Sequence, residues 1–209
     1  MKICFLMYPW EEVKKLDSTL RLIHECVKRG HLVGMTTPER LGIRDSVTMA
    51  NCQIFDRGQK VSASMSSFYK NAKKSWKNVP MAGYDAVFMR ANPPMDPLVL
   101  NFLDSIKDDV FVMNAVKGLR EANNKIYTAA YYDPDHELIP TTHVSKDVDY
   151  LKQIIEESDQ EQMIMKPLDG FGGRGVIIIE KSASKNIKSL LDFYVNNSRP
   201  GEKSQYVIL

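Results

Sequence analysis

The sequence predicts an α/β fold in which a Rossmann-like parallel-sheet domain is followed by a smaller α+β unit. Short apolar runs bounded by Gly and Pro are typical of buried strands, and amphipathic helical patterns alternate with them over the first 120 residues. Such alternation favours a parallel sheet with right-handed crossovers. Further along, two apolar runs enclose a glycine-rich loop, as in a strand–loop–strand unit. We place the first domain at residues 1–122 and the second at 123–209.

The first predicted unit is a strand, a helix and a second strand. Residues 2–7 form an apolar opening strand. Asp17 or Ser18 caps the helix that follows, and Gly30 ends it. Residues 31–35 form the second strand, which makes a parallel pairing with the first the expected arrangement.

The next stretch predicts a β-hairpin and a polar helix. Residues 49–63 carry a turn sequence, Asp-Arg-Gly, between two strand-like runs. Residues 66–76 are rich in lysine, and such a charge run is more often the solvated face of a helix than a binding patch.

A central strand at residues 84–89 leads to Arg90 and then to the stiff pair Pro93 and Pro94. Ligand-binding groups in α/β sheets lie where a strand meets its following loop. Arg90 is therefore a candidate partner for a carboxylate or phosphate, and a surface ion pair explains it equally well. A helix at 98–106, a strand at 110–113 and a crossover at 114–121 complete this domain.

The second domain begins with a short helix near Lys125, capped by Asn123 or Asn124. Its further predicted elements are a strand at 141–144, a helix at 147–157, strands at 162–165 and 176–179, a helix at 185–194, a loop at 196–201 and a strand at 205–209. A terminal apolar strand is expected to be unprotected, which suggests that the chain is a fragment of a longer protein.

Lys166 precedes a loop that contains Gly170, Gly172, Gly173 and Gly175. A backbone without side chains can approach an anion closely, so a phosphate-binding flap is favoured over a hairpin without a ligand. The dinucleotide fingerprint is excluded because a strand, rather than a helix, follows the glycines. The Walker pattern is excluded because no Lys-Ser/Thr follows. A kinase-type loop is nearer, although its lysine comes after the glycines.

Composition limits the function. The net charge of +2 gives no case for nucleic acid or a membrane surface. Cys4, Cys26 and Cys52 show no disulfide or zinc spacing, and the four histidines are scattered. No signal peptide or bilayer-spanning run is visible, so a cytoplasmic location is expected.

Three motifs resemble prokaryotic glutathione synthetase, a family of ATP-grasp ligases. They are Met-Arg-Ala-Asn-Pro-Pro-Met-Asp at 89–96, Leu-Arg-Glu-Ala-Asn-Asn-Lys at 119–125 and Ile-Met-Lys-Pro-Leu-Asp-Gly-Phe-Gly-Gly at 164–173. They occur in that family's order and at about its spacing, so the resemblance covers essentially the whole chain. It implies a pre-ATP-grasp substrate domain followed by an ATP-grasp lid.

The resemblance implies that ATP phosphorylates the carboxylate of γ-glutamylcysteine and that glycine attacks the resulting acyl phosphate. Lys125 and Lys166 match the lid lysines that contact the phosphates, and residues 170–175 match the loop that closes over them. The family's Mg²⁺ ligands lie in a C-terminal domain, so we expect no metal ligands in this chain and no catalysis by it alone.

Two alternatives stay open. Ala91 and Asn92 stand where the family usually has a charged and an acidic residue, which leaves the exact substrates open. Another ATP-grasp ligase, joining a different acid and amine, is the first alternative. The second is a non-catalytic remnant that binds a small acidic molecule or a partner. A homo-oligomer is compatible with the sequence but is not specified by it.

Overall fold

The computed structural model describes residues 1–93, 95–170, 172–196 and 204–209. The chain divides into two compact units, Met1–Arg120 and Glu121–Leu209. In the described part of the chain, no helix is long and apolar enough to cross a bilayer.

The first unit contains seven strands and four α-helices in its described residues. The strands are β1 (Lys2–Met7), β2 (Leu32–Thr36), β3 (Leu41–Arg44), β4 (Val47–Phe55), β5 (Lys74–Pro80), β6 (Ala86–Arg90) and β7 (Phe111–Met113). The helices are α1 (Ser18–Lys28), α2 (Met65–Asn71), α3 (Pro97–Asp104) and α4 (Val116–Glu121).

Strand β1 is the centre of this unit. It pairs in parallel with β2 on one side and β6 on the other, and β7 extends the parallel part beyond β6. Its odd-numbered residues, such as Phe5, pack in one core with α1 and α2, and its even-numbered residues, such as Leu6, pack in another with α3. Both faces are covered, which is why the strand is apolar from Ile3 to Met7.

The predicted hairpin at 49–63 is wrong. Strand β4 instead pairs antiparallel with β3, through a turn in which Asp45 and Ser46 have φ of 49° and 66°, and with β5 on its other edge. The Gln59 amide donates to the carbonyls of Asp56 and Lys73, at 3.1 Å each, and accepts from the Lys73 N–H at 2.9 Å. Residues 60–63 do not pair with β4, and β5 occupies that edge instead. The sheet is mixed because β4 is antiparallel to its neighbours, whereas β1, β2, β6 and β7 pair in parallel.

The lysine-rich stretch is only partly a solvated helix. Lys70 is exposed on α2, but Lys74 lies on β5, with its ammonium 4.1 Å from the centre of the Trp10 ring. Burial lowers the pKa of Lys74. A cation held over an indole face is stabilised by the ring quadrupole, and it protects the exposed edge strand from pairing with other chains.

Gly34 on β2 makes room for the side chain of Tyr84. A Cβ atom built on Gly34 would lie 2.2 Å from the Tyr84 hydroxyl oxygen. That oxygen is buried and has no hydrogen-bond partner of normal geometry among the described residues, with the thiols of Cys4 and Cys52 as neighbours. Burial raises the pKa of Tyr84 well above its usual value.

The second unit is an antiparallel sheet covered on one face by helices. Its elements are α5 (Ile126–Ala129), β8 (Val144–Ser145), α6 (Val148–Glu157), β9 (Gln162–Pro167), β10 (Ile177–Glu180), α7 (Ile187–Asn196) and β11 (Val207–Ile208). The strand order is β10-β9-β11-β8. Leu151 and Ile155 of α6 pack with Leu191 of α7 and with Met165 of β9.

The last strand corrects two expectations. β11 is not unprotected, because it pairs with β8 on one edge and β9 on the other. The strand predicted at 141–144 is reduced to β8, and a pair of hydrogen bonds between His143 and Leu209 extends its contact with the terminal residue. The loop predicted at 196–201 lies, apart from Asn196, outside the described residues.

We predict that Gly34→Ala lowers the free energy of unfolding by roughly 1–3 kcal/mol, because the new methyl group overfills a packed core. Tyr84→Phe is expected to be neutral or to stabilise by about 1 kcal/mol, since it removes a buried hydroxyl that lacks a partner. Urea denaturation followed by tryptophan fluorescence measures both, because the two tryptophans lie in this unit.

Gly42→Ala is the matched control, because nothing lies within 4 Å of a Cβ atom at that strand position. In the Tyr84→Phe background the cost of Gly34→Ala is expected to shrink. Equal costs in the two backgrounds would show that the hydroxyl is not the obstacle.

Candidate functional site

The glycine-rich loop connects two antiparallel strands. β9 enters it and β10 leaves it, with Met165 opposite Ile177. A strand therefore follows the glycines, as the exclusion of the dinucleotide fingerprint required. Phe171, within the loop, lies outside the described residues.

Three of the glycines have backbone angles that side chains disfavour. The φ values are +62° at Gly172, +77° at Gly173 and +71° at Gly175. Around Gly172 and Gly173 nothing lies within 4 Å of a built Cβ atom, so this backbone is open to an approaching group. A Cβ atom on Gly175 would lie 2.7 Å from the ring of Pro167, which fixes the loop exit sterically.

Lys125 holds the entry of this loop. Its Nζ donates to the carbonyl oxygens of Pro167 at 3.0 Å, Leu168 at 3.1 Å and Gly170 at 2.5 Å. All three donors of the ammonium are therefore engaged with the loop backbone. To contact a nucleotide phosphate, Lys125 has to leave at least one of these carbonyls.

Lys166 is placed differently. It is half-buried on β9, opposite Ile208, and its neighbour Met165 points into the helical core. Alternation along the strand sends Lys166 to the other face of the sheet, which also carries the exposed Ile164. There Lys166 lines a cleft of about 740 Å³. Its ammonium makes no hydrogen bond or salt bridge with the described residues, so it is available for an anion.

The described residues hold no group of three or more His, Cys, Asp or Glu side chains that could bind a metal ion. The described residues offer a cation on β9, a glycine backbone that follows it in the chain and a second cation, Lys125, bonded to the loop entry.

Arg90 belongs to the first unit and lies at the carboxyl end of β6. Its Nε donates to the Thr19 hydroxyl at 3.0 Å and one Nη donates to the Ser18 hydroxyl at 2.9 Å. Arg90 forms no salt bridge with the described residues, so the interpretation as a surface ion pair has no support in them. The guanidinium is instead held in a fixed orientation at the first turn of α1.

Sequence reasoning missed this role of Ser18 and Thr19. It assigned Asp17 or Ser18 to capping, but the Asp17 carboxylate accepts from the Tyr8 hydroxyl at 2.9 Å and from the Lys14 N–H at 2.7 Å. Asp17 is the N-cap residue by position without bonding the helix amides. The buried residues of α1 are Thr19, Leu20, Ile23 and His24, so a small polar residue next to the apolar positions of the helix was the available signal.

Comparison with solved structures defines the class. The RimK-domain ATP-grasp protein from Sphaerobacter thermophilus aligns with a TM-score of 0.56 at 13% identity, over 100% of this chain and 62% of that one. D-cycloserine synthetase aligns with a TM-score of 0.53 at 17% identity, over 99% and 58%. At such identities the similarity shows the fold alone, and the fold is that of ATP-grasp proteins. The predicted α/β class is confirmed.

Sequence comparison gives the family. Residues 1–120 match the N-terminal domain of prokaryotic glutathione synthetase, and residues 124–207 match its ATP-grasp domain. The chain therefore belongs to the prokaryotic glutathione synthetase family, as its motifs predicted. Glutathione synthetase of Vibrio cholerae is 26% identical over 204 residues, and that of Nostoc is 28% identical over 214 residues. Each match covers 95% of this chain and, respectively, 60% and 62% of the relative.

We predict that Lys125→Met releases the loop entry and raises the rate of tryptic cleavage after Arg174 at least several-fold, because the three hydrogen bonds from the ammonium are lost. Mass spectrometry of the fragment ending at Arg174 measures the rate. Lys152→Met is the control, since Lys152 is paired with Glu156 on α6. Unchanged cleavage in Lys125→Met would mean that these three bonds do not order the loop.

Proposed function

We propose that this chain forms the substrate and nucleotide-binding parts of an ATP-dependent carboxylate–amine ligase that makes glutathione from γ-glutamylcysteine and glycine. The observation that carries the proposal is Lys166, a cation without a partner among the described residues on the strand that leads into an open glycine backbone. Membership of the glutathione synthetase family supports the choice of reaction. The chain spans about 60% of the length of its curated relatives, so the proposal concerns the longer protein.

ATP supplies the phosphoryl group that activates the acid as an acyl phosphate. The part of this chain is electrostatic: Lys166 compensates negative charge on the phosphates, and the N–H groups around Gly172 and Gly173 cover it. Lys125 orders the loop entry until phosphates compete for its ammonium. A covered site excludes water, which would otherwise hydrolyse the activated acid.

Arg90 is the candidate contact for the acid substrate. Its bonds to Ser18 and Thr19 occupy Nε and one Nη, which leaves the remaining N–H groups of the fork for a carboxylate. A guanidinium fixed in advance loses little entropy when it binds.

Mg²⁺ is the expected companion of ATP, and the described residues do not supply a site for it. We therefore propose that its ligands come from a part of the protein beyond this sequence, and derive no step through the metal. Residues 1–209 alone are expected to bind nucleotide without turnover. ATP-dependent ligation by the purified chain would contradict this.

The first experiment is an assay of ADP release by the chain joined to its C-terminal continuation, with γ-glutamylcysteine and with or without glycine. Glycine-dependent release is expected. Release only with other acid–amine pairs would mean that the protein is a ligase with different substrates. This is the leading alternative, because Ala91 and Asn92 depart from the residues usual in the family. No release with any pair would favour a binding remnant. The enzyme is proposed to be cytoplasmic and to need no nucleic acid or membrane.

We predict that Lys166→Met in the longer protein weakens ATP binding about tenfold and lowers turnover, because one charge-assisted contact to phosphate is lost. Titration with a fluorescent ATP analogue and the ADP assay measure the two effects. Lys152→Met controls for the loss of a surface lysine and should match the wild type. Kinetics identical to the wild type would remove Lys166 from the nucleotide site.

A further inference from the structure

The first unit contains a cleft of about 740 Å³ at the edge of the sheet opposite to Arg90. Lys2 and Leu32, the first residues of β1 and β2, line this amino-edge cleft, as does Tyr84, which lies shortly before β6. Because β1, β2 and β6 run in the same direction, their amino ends meet here and their carboxyl ends meet at the other edge. Ala86 and Arg90 are the first and last residues of β6, so about 13 Å separates the two edges.

The floor of the amino-edge cleft is apolar. Leu32, Ile54 and Val79 contribute to it from three neighbouring strands, β2, β4 and β5. All three belong to the hydrophobic core that contains Leu6, or pack against it, and Leu32 and Val79 are only partly buried. A ligand that removes such side chains from water gains free energy from the hydrophobic effect. The size of the cleft is within the range of pockets for small molecules, roughly 300–1,000 Å³.

Cations border this apolar floor. Lys2 lies at the start of β1, Arg57 in the turn after β4 and Lys77 on β5. None of their side chains forms a hydrogen bond or salt bridge with a described residue. Asp56 carries the only carboxylate among the lining residues, all of which the structure describes, and the nearby Asp85 carboxylate accepts the Lys2 backbone N–H at 2.7 Å. The excess of positive charge on the lining equals the net charge of +2 of the whole chain, so the remaining charges cancel in sum.

Strand β5 places Lys77 beside the apolar floor. Alternation along the strand sends Lys77 and Val79 to the cleft and Trp76 to the opposite face of the sheet. Lys77 is opposite the buried Cys52 of β4, so its aliphatic stem starts at the floor and its ammonium reaches the rim. Lysine on an edge strand also discourages pairing with other chains. That role does not explain why cations from β1 and from the turn after β4 border the same floor.

We propose that the amino-edge cleft binds an organic anion in which an apolar ring or chain carries a phosphate or carboxylate group. The apolar part lies on the floor, and Arg57 and Lys77 pair with the anionic group. Phosphate and carboxylate both fit, since each offers oxygen acceptors to a guanidinium fork and to an ammonium. The ligand lies at a different edge of the sheet from an acid bound at Arg90, so this site is additional to the proposed ligase chemistry and does not rest on it.

Displacement of a fluorescent anion tests the proposal. Anilinonaphthalene sulfonate is the probe, because it joins apolar rings to an anionic group and its fluorescence rises when the rings leave water. The purified chain is titrated with the probe, without ATP or substrates, and the bound probe is then displaced. Naphthyl phosphate and naphthoate carry both parts of the proposed ligand, whereas naphthol lacks the anionic group and inorganic phosphate lacks the apolar part. We expect saturable binding, and displacement by the first two molecules at concentrations at least about tenfold lower than by the others.

Substitutions locate the probe in the amino-edge cleft. Arg57→Ala and Lys77→Ala are each expected to raise the Kd of the probe about tenfold, because a charged contact is lost. Lys70→Ala is the matched control, since Lys70 is an exposed lysine on α2 that does not line the cleft. Val79→Thr keeps the shape of the side chain but adds a hydroxyl to the floor. It should raise the Kd about threefold while the circular dichroism spectrum stays native.

Absence of saturable binding of the probe would overturn the proposal. So would equal displacement by naphthol and by naphthyl phosphate from the wild-type chain, a result that does not depend on any variant folding. A Kd unchanged in both Arg57→Ala and Lys77→Ala would place the probe elsewhere and overturn the assignment to this cleft. Stronger displacement by naphthyl phosphate than by naphthoate would identify the anionic group as a phosphate, and the reverse order as a carboxylate. Because no ATP or acid substrate is present, these outcomes are independent of whether the longer protein is a ligase.

Discussion

The parallel pairing of β1 with β2 and β6 determines where the first unit places its polar side chains. Because the three strands run in the same direction, their carboxyl ends meet at one edge, and the residues that follow them are Tyr8, Thr37 and Ala91. The interior of β1 is fully apolar, so polar side chains are confined to the ends of this strand. The position of Arg90, held by Ser18 and Thr19, is a consequence of this edge.

In the second unit the comparable constraint is that a glycine-rich loop has few side chains of its own to hold it in place. Glycine gives the loop access to a ligand but removes the contacts that would hold it. Lys125 replaces some of those contacts by donating to carbonyls, and the Pro167 ring blocks the exit at Gly175. Under the proposed function, carbonyl and phosphate oxygens compete for the same three donors of Lys125, which would link the order of the loop to the presence of nucleotide.

The sequence was most informative where structure is decided locally. β1, the helix ended by Gly30 and the glycine loop each carry their own pattern of apolar spacing or backbone requirement. β5 does not, because an exposed edge strand of Lys-Ser-Trp-Lys-Asn-Val-Pro needs few apolar residues, and its place depends on Gln59 bonding to Lys73 across the intervening helix. Arg90 bonds to Ser18 and Thr19 across about 70 residues of sequence, so no local pattern of residue spacing reveals these bonds.

The close approach of Gly34 and Tyr84 restricts which substitutions the chain can accept at these two positions. A side chain at position 34 would clash with the tyrosine hydroxyl, which occupies the space next to β2. Loss of the hydroxyl, in contrast, removes one of the two buried side-chain polar atoms that lack a hydrogen-bond partner among the described residues. Loss of the hydroxyl removes the shortest of the contacts at position 34, and a Cβ atom there would still lie 3.0 Å from Ile54 Cδ1 and 3.1 Å from Tyr84 Cζ. Among relatives, a residue larger than glycine at position 34 should therefore be found together with a residue smaller than tyrosine at position 84.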